Sequence, residues 1–544
     1  MKKVLLYYLK ILILAFIVCL PVILPYFKAG FFPTHDGEWA VVRLGDMYRE
    51  IKDFQFPARL SGYLNFEYGY PLFNFAYPMP YYFGLIFVFL KTGFVSSIKI
   101  LFALSAIFSF FSMFLLSESL WRNKWAGFVS AVLYIYVPYR IIDLYIRGSI
   151  GESLSFILFP FILLGIKRIY EKKNLSLSIF SVGVLYGLLI TTHNIMAVLF
   201  GLLILFMSVS ALITKKFTFL SNLFFSMIYS LCISAFFWIP AIFEKNLILL
   251  SKIPIADRSM YFVKPLQLIN EKWGYGVPTD ASGFGYQLGL PQALVLFLVF
   301  VVALKIKNKD SRIALLLVVA SLTISFLLFS PSSLIWSYVP LLSEINYPWT
   351  VLSILALLIS LMGGYLTKLG KYFIALSLVI CLLAVILIIP HAKPQVVVNR
   401  GDDYYVTNQA TTTSSNELMP LWVKQLPFQK AESKVQVQSG KVENIAYDSR
   451  EISFSVNLPK SQQIIINTIY YPGWRILIDG KEAAINYSNT KGVMVISSDK
   501  GMHFISGKFS ETPIRLISDI ISLMSLMLPF IYLVINNKLF RLKK

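Results

Sequence analysis

Long apolar stretches, each ending in polar or basic residues, run through most of the chain. Stretches long enough to cross a bilayer as helices, around 17–25 residues, lie near 5–27, 96–117, 125–142, 153–166, 175–190, 195–213, 217–240, 291–304, 313–330, 349–367, 372–390 and 513–535. A shorter run, Phe75 to Leu90, suits either a span or a helix lying at the membrane surface. After residue 391 the pattern changes. Residues 433–510 alternate apolar and polar, as in Gln462 to Tyr470 and Trp474 to Asp479, with breaks at Pro472-Gly473 and Asp479-Gly480. Asp-Gly between two such runs is a hairpin signal. The pattern predicts a polytopic α-helical membrane protein of about twelve transmembrane helices with a small external C-terminal β-sandwich. The expected organisation is a transmembrane domain at 1–390 whose first external loop is 28–95, a β-rich domain at 391–512, and a last helix with a basic tail at 513–544.

Composition agrees. Apolar residues make up 57% of the 544 and charged residues 14%, about half the charged share of a soluble domain, and mean hydropathy is +0.69. An aqueous fold of this size has no room in its cores for that much apolar surface. Disorder, collagen-like repeats and a disulfide scaffold are excluded by the same figures. Cys19, Cys232 and Cys381 lie in apolar runs without metal-ligand spacing.

The net charge of +21 is a topology signal. Lys2/Lys3, the 118–124 segment with Arg122 and Lys124, the 167–173 segment, Lys215/Lys216, the 305–312 segment, Lys368/Lys371 and the tail from Lys538 hold 20 basic residues and three acids, Glu118, Glu171 and Asp310. The segment 391–512 is nearly balanced, with 13 basic and 11 acidic residues. Basic residues in short loops mark the cytoplasmic side. All these loops fall on one side when Phe75 to Leu90 lies at the surface. Both termini are then cytoplasmic and 391–512 is extracytoplasmic, in the plasma membrane. No small-residue cleavage site precedes Phe27, so the first span reads as an uncleaved anchor. Nucleic acid is not an expected partner; the lipid bilayer is.

Candidate chemistry gathers on the external side. The first loop opens Thr34-His35-Asp36-Gly37-Glu38-Trp39. Val41, Leu44, Tyr48 and Ile51 then recur on one helical face, with Arg43, Asp46, Arg49 and Asp53 on the other. Asp36 suits the N-cap of that helix, although a cap needs neither His35 beside it nor Glu38 beyond. A second cluster spans Tyr139 to Glu152. Arg140 and Asp143, three apart, and Asp143 and Arg147, four apart, share a helical face. An interfacial ion pair accounts for Asp143, whereas Arg147 is suited to bidentate phosphate contact. Glu152 opens an apolar span, where a carboxylate is a helix-start residue or functional. His193 and Asn194 form an external tip. The loops Trp273 to Tyr286 and Trp336 to Trp349 are aromatic, fitting an interfacial belt or sugar stacking. No Walker loop, GxSxG, HExxH or CxxC occurs, which removes ATPase, serine-hydrolase and zinc-protease readings.

Thr34-His35-Asp36-Gly37, Arg147…Glu152-Ser-Leu, Thr192-His193-Asn194 and Tyr470-Tyr-Pro-Gly-Trp474-Arg-Ile-Leu-Ile-Asp479-Gly480 carry a resemblance. In layout the chain resembles the GT-C superfamily of membrane glycosyltransferases, and among them bacterial YfhO-like and 6-pyruvoyl-tetrahydropterin-synthase-related membrane proteins. The resemblance implies transfer of a sugar from a polyprenyl-phosphate donor to an extracytoplasmic glycan or lipid acceptor. Asp36 would then be the first-loop catalytic acid, with His35 and Glu38 beside it and a divalent cation, Mg2+ or Mn2+, on Asp36. Arg147, Glu152, Asp143, His193, Asn194 and Arg140 would bind substrate. The sequence departs from the two-acid Asp-x-Asp form, with Glu at position 38 and Thr at 34. The rivals are a lipid-linked sugar transporter or flippase, and a non-catalytic envelope scaffold.

Overall fold

The computed structural model describes residues 2–269, 273 and 285–542, and helices form at each of the twelve apolar stretches. Eight are long and apolar enough to cross a membrane on their own: Lys2–Phe27, Phe94–Trp121, Ile150–Tyr170, Leu175–Thr192, Asn194–Ile213, Lys309–Leu328, Pro348–Leu369 and Lys371–His391. Two more qualify only as broken pairs, Lys124–Ile135 with Pro138–Arg147, bent by 49°, and Phe217–Ile233 with Ala235–Phe243. Among the described residues the count by length and apolarity is therefore eight to ten. The expected twelve also included Leu290–Lys305, which has only 16 residues, and the final helix Pro513–Leu542. At 1.5 Å per residue, 16 residues reach only about 24 Å, short of a hydrocarbon core of about 30 Å. Phe75 to Leu90 yields only Met79–Phe89, 11 residues, too short to cross.

The chain divides into two compact units. One comprises Met1–Ala40, Leu90–Leu231 and Ala256–Arg400; the other comprises Val41–Phe89, Cys232–Ile255 and Gly401–Lys544. The second unit thus gathers parts of the first loop and of the 232–255 segment together with the C-terminal residues.

In the first unit, Phe94–Trp121 packs against Lys124–Ile135 and Ile150–Tyr170. Ser105, Ser109 and Ser112 on the first of these are fully buried and return their hydroxyls to carbonyls three or four residues back. Small residues of this kind let helices approach closely where water does not drive them together. Pro348–Leu369 is buried along its whole apolar window. By contrast, Lys2–Phe27 and Lys371–His391 are 28% buried and turn Leu5, Ile13, Ile17, Val379, Leu382 and Ile386 outward. Exposed apolar surface on that scale suits a lipid neighbour.

The second unit holds eight strands: β1 (Val435–Val437), β2 (Lys441–Tyr447), β3 (Glu451–Leu458), β4 (Gln462–Ile469), β5 (Trp474–Ile478), β6 (Lys481–Ala483), β7 (Val493–Ser498) and β8 (Gly501–Phe509). They form two antiparallel sheets, β1-β4-β7 and β2-β3-β8-β5-β6. The period-two pattern sets the faces: Ile452, Phe454, Val456 and Leu458 are buried while Glu451, Ser453, Ser455 and Asn457 turn away. The Asp479-Gly480 hairpin forms between β5 and β6, with φ of 49° and 81° at the two positions. Two successive positive φ values are what a type I′ turn demands, and Asp and Gly tolerate them best.

The helix Gly37–Lys52 buries part of its charged face: Asp46, and Glu50 beside it, are fully buried. Glu50 accepts from the Gly62 N–H at 2.8 Å and Gln55 Nε2 at 2.6 Å. Asp46 pairs with Arg49 at 3.3 Å, and Arg43 Nε donates to Thr412 at 3.0 Å. The charges face inward because the second unit's own loops, which the helical period does not reveal, cover them. Burial pushes the Asp46 carboxyl up to about 6, against the pull of Arg49. Glu50 is raised by burial first and by Asp46 second.

Candidate functional site

The site lies within the first unit, where the 34–38 segment meets the turn after Pro138. Pro138 removes an N–H and pushes Val137 into extended backbone (φ −75°, ψ 133°), so the helix breaks and restarts. It ends in a π-helical turn, Asp143–Arg147, closed by Gly148 at φ 62°. Such turns are frequent at functional sites. A side chain at Gly148 would collide with Thr34 Oγ1 at 2.2 Å and Gly37 N at 2.9 Å. Glycine is therefore the residue that lets the two segments touch. His35 N and Asp36 N donate to the carbonyls of Ile146 (3.0 Å) and Arg147 (2.7 Å). Thr34 Oγ1 takes the Gly37 N–H at 2.8 Å, so a hydroxyl does the capping that the sequence also allowed Asp36. The Asp36 side chain stays 45% exposed, with Oδ2 4.0 Å from Arg147 Nη2.

Arg147 joins the outer carboxylate to an inner charged core. Its Nη1 donates to Glu152 Oε2 and lies 3.6 Å from Asp143 Oδ1. Tyr139 donates to Glu152 Oε1 at 2.7 Å. Asp143 Oδ2 accepts from Ser153 Oγ at 2.6 Å and Arg140 Nη1 at 3.4 Å. Arg140 also reaches Ser105 Oγ at 2.7 Å and the Ser153 carbonyl at 3.1 Å. Arg140, Asp143 and Glu152 are wholly buried. Beyond being an ion pair, Arg140 and Asp143 are enclosed by protein: charges desolvated to this degree persist only because each is paired and hydrogen-bonded. Removing both inner carboxylates from water fixes the guanidinium from behind and leaves its outer edge toward Asp36.

Aromatic residues surround Arg147. Its guanidinium carbon lies 4.5 Å from the Trp349 ring centroid, and Tyr139, Tyr286 and Tyr347 have centroids 6.3, 5.6 and 5.3 Å from that ring. A belt at the interface was one reading of Trp349; here it supports a cation by its ring face. The other aromatics scatter. Trp336 is buried and donates to the Leu327 carbonyl at 2.9 Å, Trp273 stacks on His391, and most of the 273–286 loop lies outside the described residues.

The remaining candidates are placed unevenly. Glu38 pairs with Arg400 at 3.1 Å, a partner 362 positions away that no local pattern announces. His193 is buried and its Nδ1 accepts from Met196 N at 3.3 Å, capping Asn194–Ile213. It lies within the electrostatic reach of Arg147. Asn194 is exposed. Among the described residues no three His, Cys, Asp or Glu side chains gather as metal ligands.

No family model matches the chain, and no curated protein does either. Among solved structures, the chain is similar to the oligosaccharyltransferase of Archaeoglobus fulgidus in its apo form, at 15% identity and a TM-score of 0.44, over 78% of this chain and 62% of that one. The chain thus spans less than two-thirds of that protein's length.

Proposed function

We propose that the chain is a GT-C-type membrane glycosyltransferase, akin to YfhO-like proteins, which moves a sugar from a polyprenyl-phosphate donor to a glycan or lipid acceptor outside the plasma membrane. In this reading both termini are cytoplasmic, and the site and residues 391–512 face outward. The observation that carries it is the half-exposed Asp36 carboxylate 4.0 Å from an Arg147 whose other side is already neutralised.

Asp36 accepts the proton of an acceptor hydroxyl as its oxygen attacks the anomeric carbon. The bond from that carbon to the phosphate oxygen breaks, and its electron pair leaves on the phosphate. Arg147, a planar donor suited to two phosphate oxygens, meets the charge as it develops. Glu152 and Asp143 position Arg147 without touching substrate, and Trp349 supports its face. A divalent cation would take Asp36 as its ligand from this cluster and fill its shell with substrate oxygens and water, as Mg2+ commonly does. Glu38 is committed to Arg400.

One observation favours a second reading. Buried Arg140 and Asp143 sit on a helix broken at mid-course, and broken helices with buried charges also mark transporters of lipid-linked sugars. Mass spectrometry of lipids that co-purify with the full chain addresses the shared claim. Polyprenyl-phosphate sugar on the wild type, lost from a folded Arg147→Ala, is expected; its absence from the wild type would overturn both readings. In liposomes, transfer to acceptor supports the enzyme, and translocation without transfer supports the transporter.

A further inference from the structure

One face of the second unit's five-stranded sheet is hollowed into a cavity of about 640 Å³. That lies within the range of small-molecule sites. The cross-strand register fixes what lines it. Ser453 on β3 faces Ser506 on β8, which faces Leu477 on β5, which faces Glu482 on β6. The adjoining row on the same face runs Glu451, Lys508, Arg475. At the rim stands Tyr447, 43% exposed, its hydroxyl on Glu67 at 3.1 Å and Lys434 Nζ 5.0 Å from its ring centroid.

Two features of this row are not explained by the sheet's own stability. Lys508 and Arg475 are directly opposed across β8 and β5, and like charges so placed are destabilising. Lys508 is compensated by Glu451 at 2.5 Å. Among the described residues Arg475 makes no ion pair, and neither does Glu482. An exposed guanidinium on β5 and an exposed carboxylate on β6 thus stand together at one side of the cavity, with the hydroxyls of Ser453 and Ser506 on β3 and β8 at the other.

We infer that this groove binds a neutral glycan chain. A vicinal diol offers two donors and two acceptors at fixed spacing. Arg475 supplies paired donors, Glu482 paired acceptors, and Ser453 and Ser506 either role. Tyr447 offers a rigid ring at the rim. A polyanion such as nucleic acid is disfavoured because Glu451, Glu482 and Asp448 line the same cavity, and a lipid surface is disfavoured because Lys508, Arg475 and those three carboxylates place charges of both signs around it. The inference uses nothing from the membrane unit. If the transferase reading also holds, this is where the acceptor polymer is gripped.

The test uses the full chain in lipid nanodiscs, which avoids sugar-headed detergents, with maltohexaose, cellohexaose, chitohexaose and hexagalacturonate as probes. Saturation-transfer NMR and calorimetry should show at least one neutral hexasaccharide binding, more tightly than hexagalacturonate. Arg475→Ala and Glu482→Gln, both at exposed positions, should each weaken that binding about tenfold, the effect of losing a charged hydrogen bond, without lowering the unfolding temperature. Asp36→Asn should bind the same probe as the wild type does, so that failure of the transferase reading is separable. Binding of none of the neutral probes, preference for hexagalacturonate, or indifference to both substitutions would each overturn the assignment.

Discussion

Arg515 and Arg147 are each held by a glutamate in the interior of their own unit, and what surrounds them differs. In the second unit Glu244 takes Arg515 Nε and Nη2 at 2.9 and 2.7 Å, Tyr471 at 2.9 Å, Asn74 at 2.9 Å and Thr512 at 3.3 Å. Arg515 is fully buried, with Tyr471 and Phe509 rings over its guanidinium. Arg515, Glu244, Tyr471 and Asn74 are buried, and only the Thr512 hydroxyl, at the edge of the cluster, belongs to a half-buried residue. In the first unit Arg147 has an equally tight inner side, in Glu152 and Asp143, and its outer neighbour Asp36 is 45% exposed. A sealed charge cluster ties elements of a fold together. One that leaves a carboxylate and a guanidinium edge open keeps unshared charge for a ligand, and the cost of holding it there falls on the inner carboxylates.

Breaking the sealed cluster should have the largest effect. Glu244→Ala strands a buried guanidinium, a loss of about 3–5 kcal/mol, and should be seen as a protein that fails to reach its folded state or unfolds at a much lower temperature. The open cluster should respond in the opposite sense. Arg147→Lys keeps the charge but not the fork, so transfer should fall by about tenfold to a hundredfold while the unfolding temperature moves by a few degrees at most.

A third prediction concerns pH. Burial raises the Asp46 carboxyl to about 6, so between its ordinary value and 6 the folded chain binds a proton that the unfolded chain has released. That contribution to stability is complete below pH 4 and is lost as pH rises through 6. Arg49, Asp53 and Ser61 face the same carboxyl, and Glu50 interacts with it. The unfolding temperature should therefore be higher at pH 5 than at pH 7, and Asp46→Asn should flatten that difference and stabilise the chain at pH 7 by about 2 kcal/mol. Smallest of all, Glu38→Gln removes a pair whose members are 26% and 39% exposed and should cost under about 1 kcal/mol, measured by the same unfolding curve.

The sequence and the structure agree where the signal is local. Apolar stretches of fixed length became helices, Asp479-Gly480 became a hairpin, and the two short motifs around Asp36 and Arg147 came together through main-chain hydrogen bonds. Local pattern failed where distant chain supplies the environment. The burial of Asp46 and Glu50 was not legible, because helical spacing does not show which loops, at 61–62 and near Ser449, will close over them. Arg400 carried no signal as the partner of Glu38. Trp349 was legible as an aromatic near a span end but not as the platform of Arg147, a contact that crosses some two hundred residues. Arg140 and Asp143 were legible as a helical pair, and their full burial was not, because helical spacing says nothing about which helices will close over it.

The central claim rests on what Asp36 does while the fold stays intact. With polyprenyl-phosphate sugar and acceptor supplied to proteoliposomes, the time course of polyprenyl phosphate release by Asp36→Asn should run about a hundredfold or more below the wild type, at an unchanged unfolding temperature. Release at the wild-type rate by a folded, inserted Asp36→Asn would contradict the account.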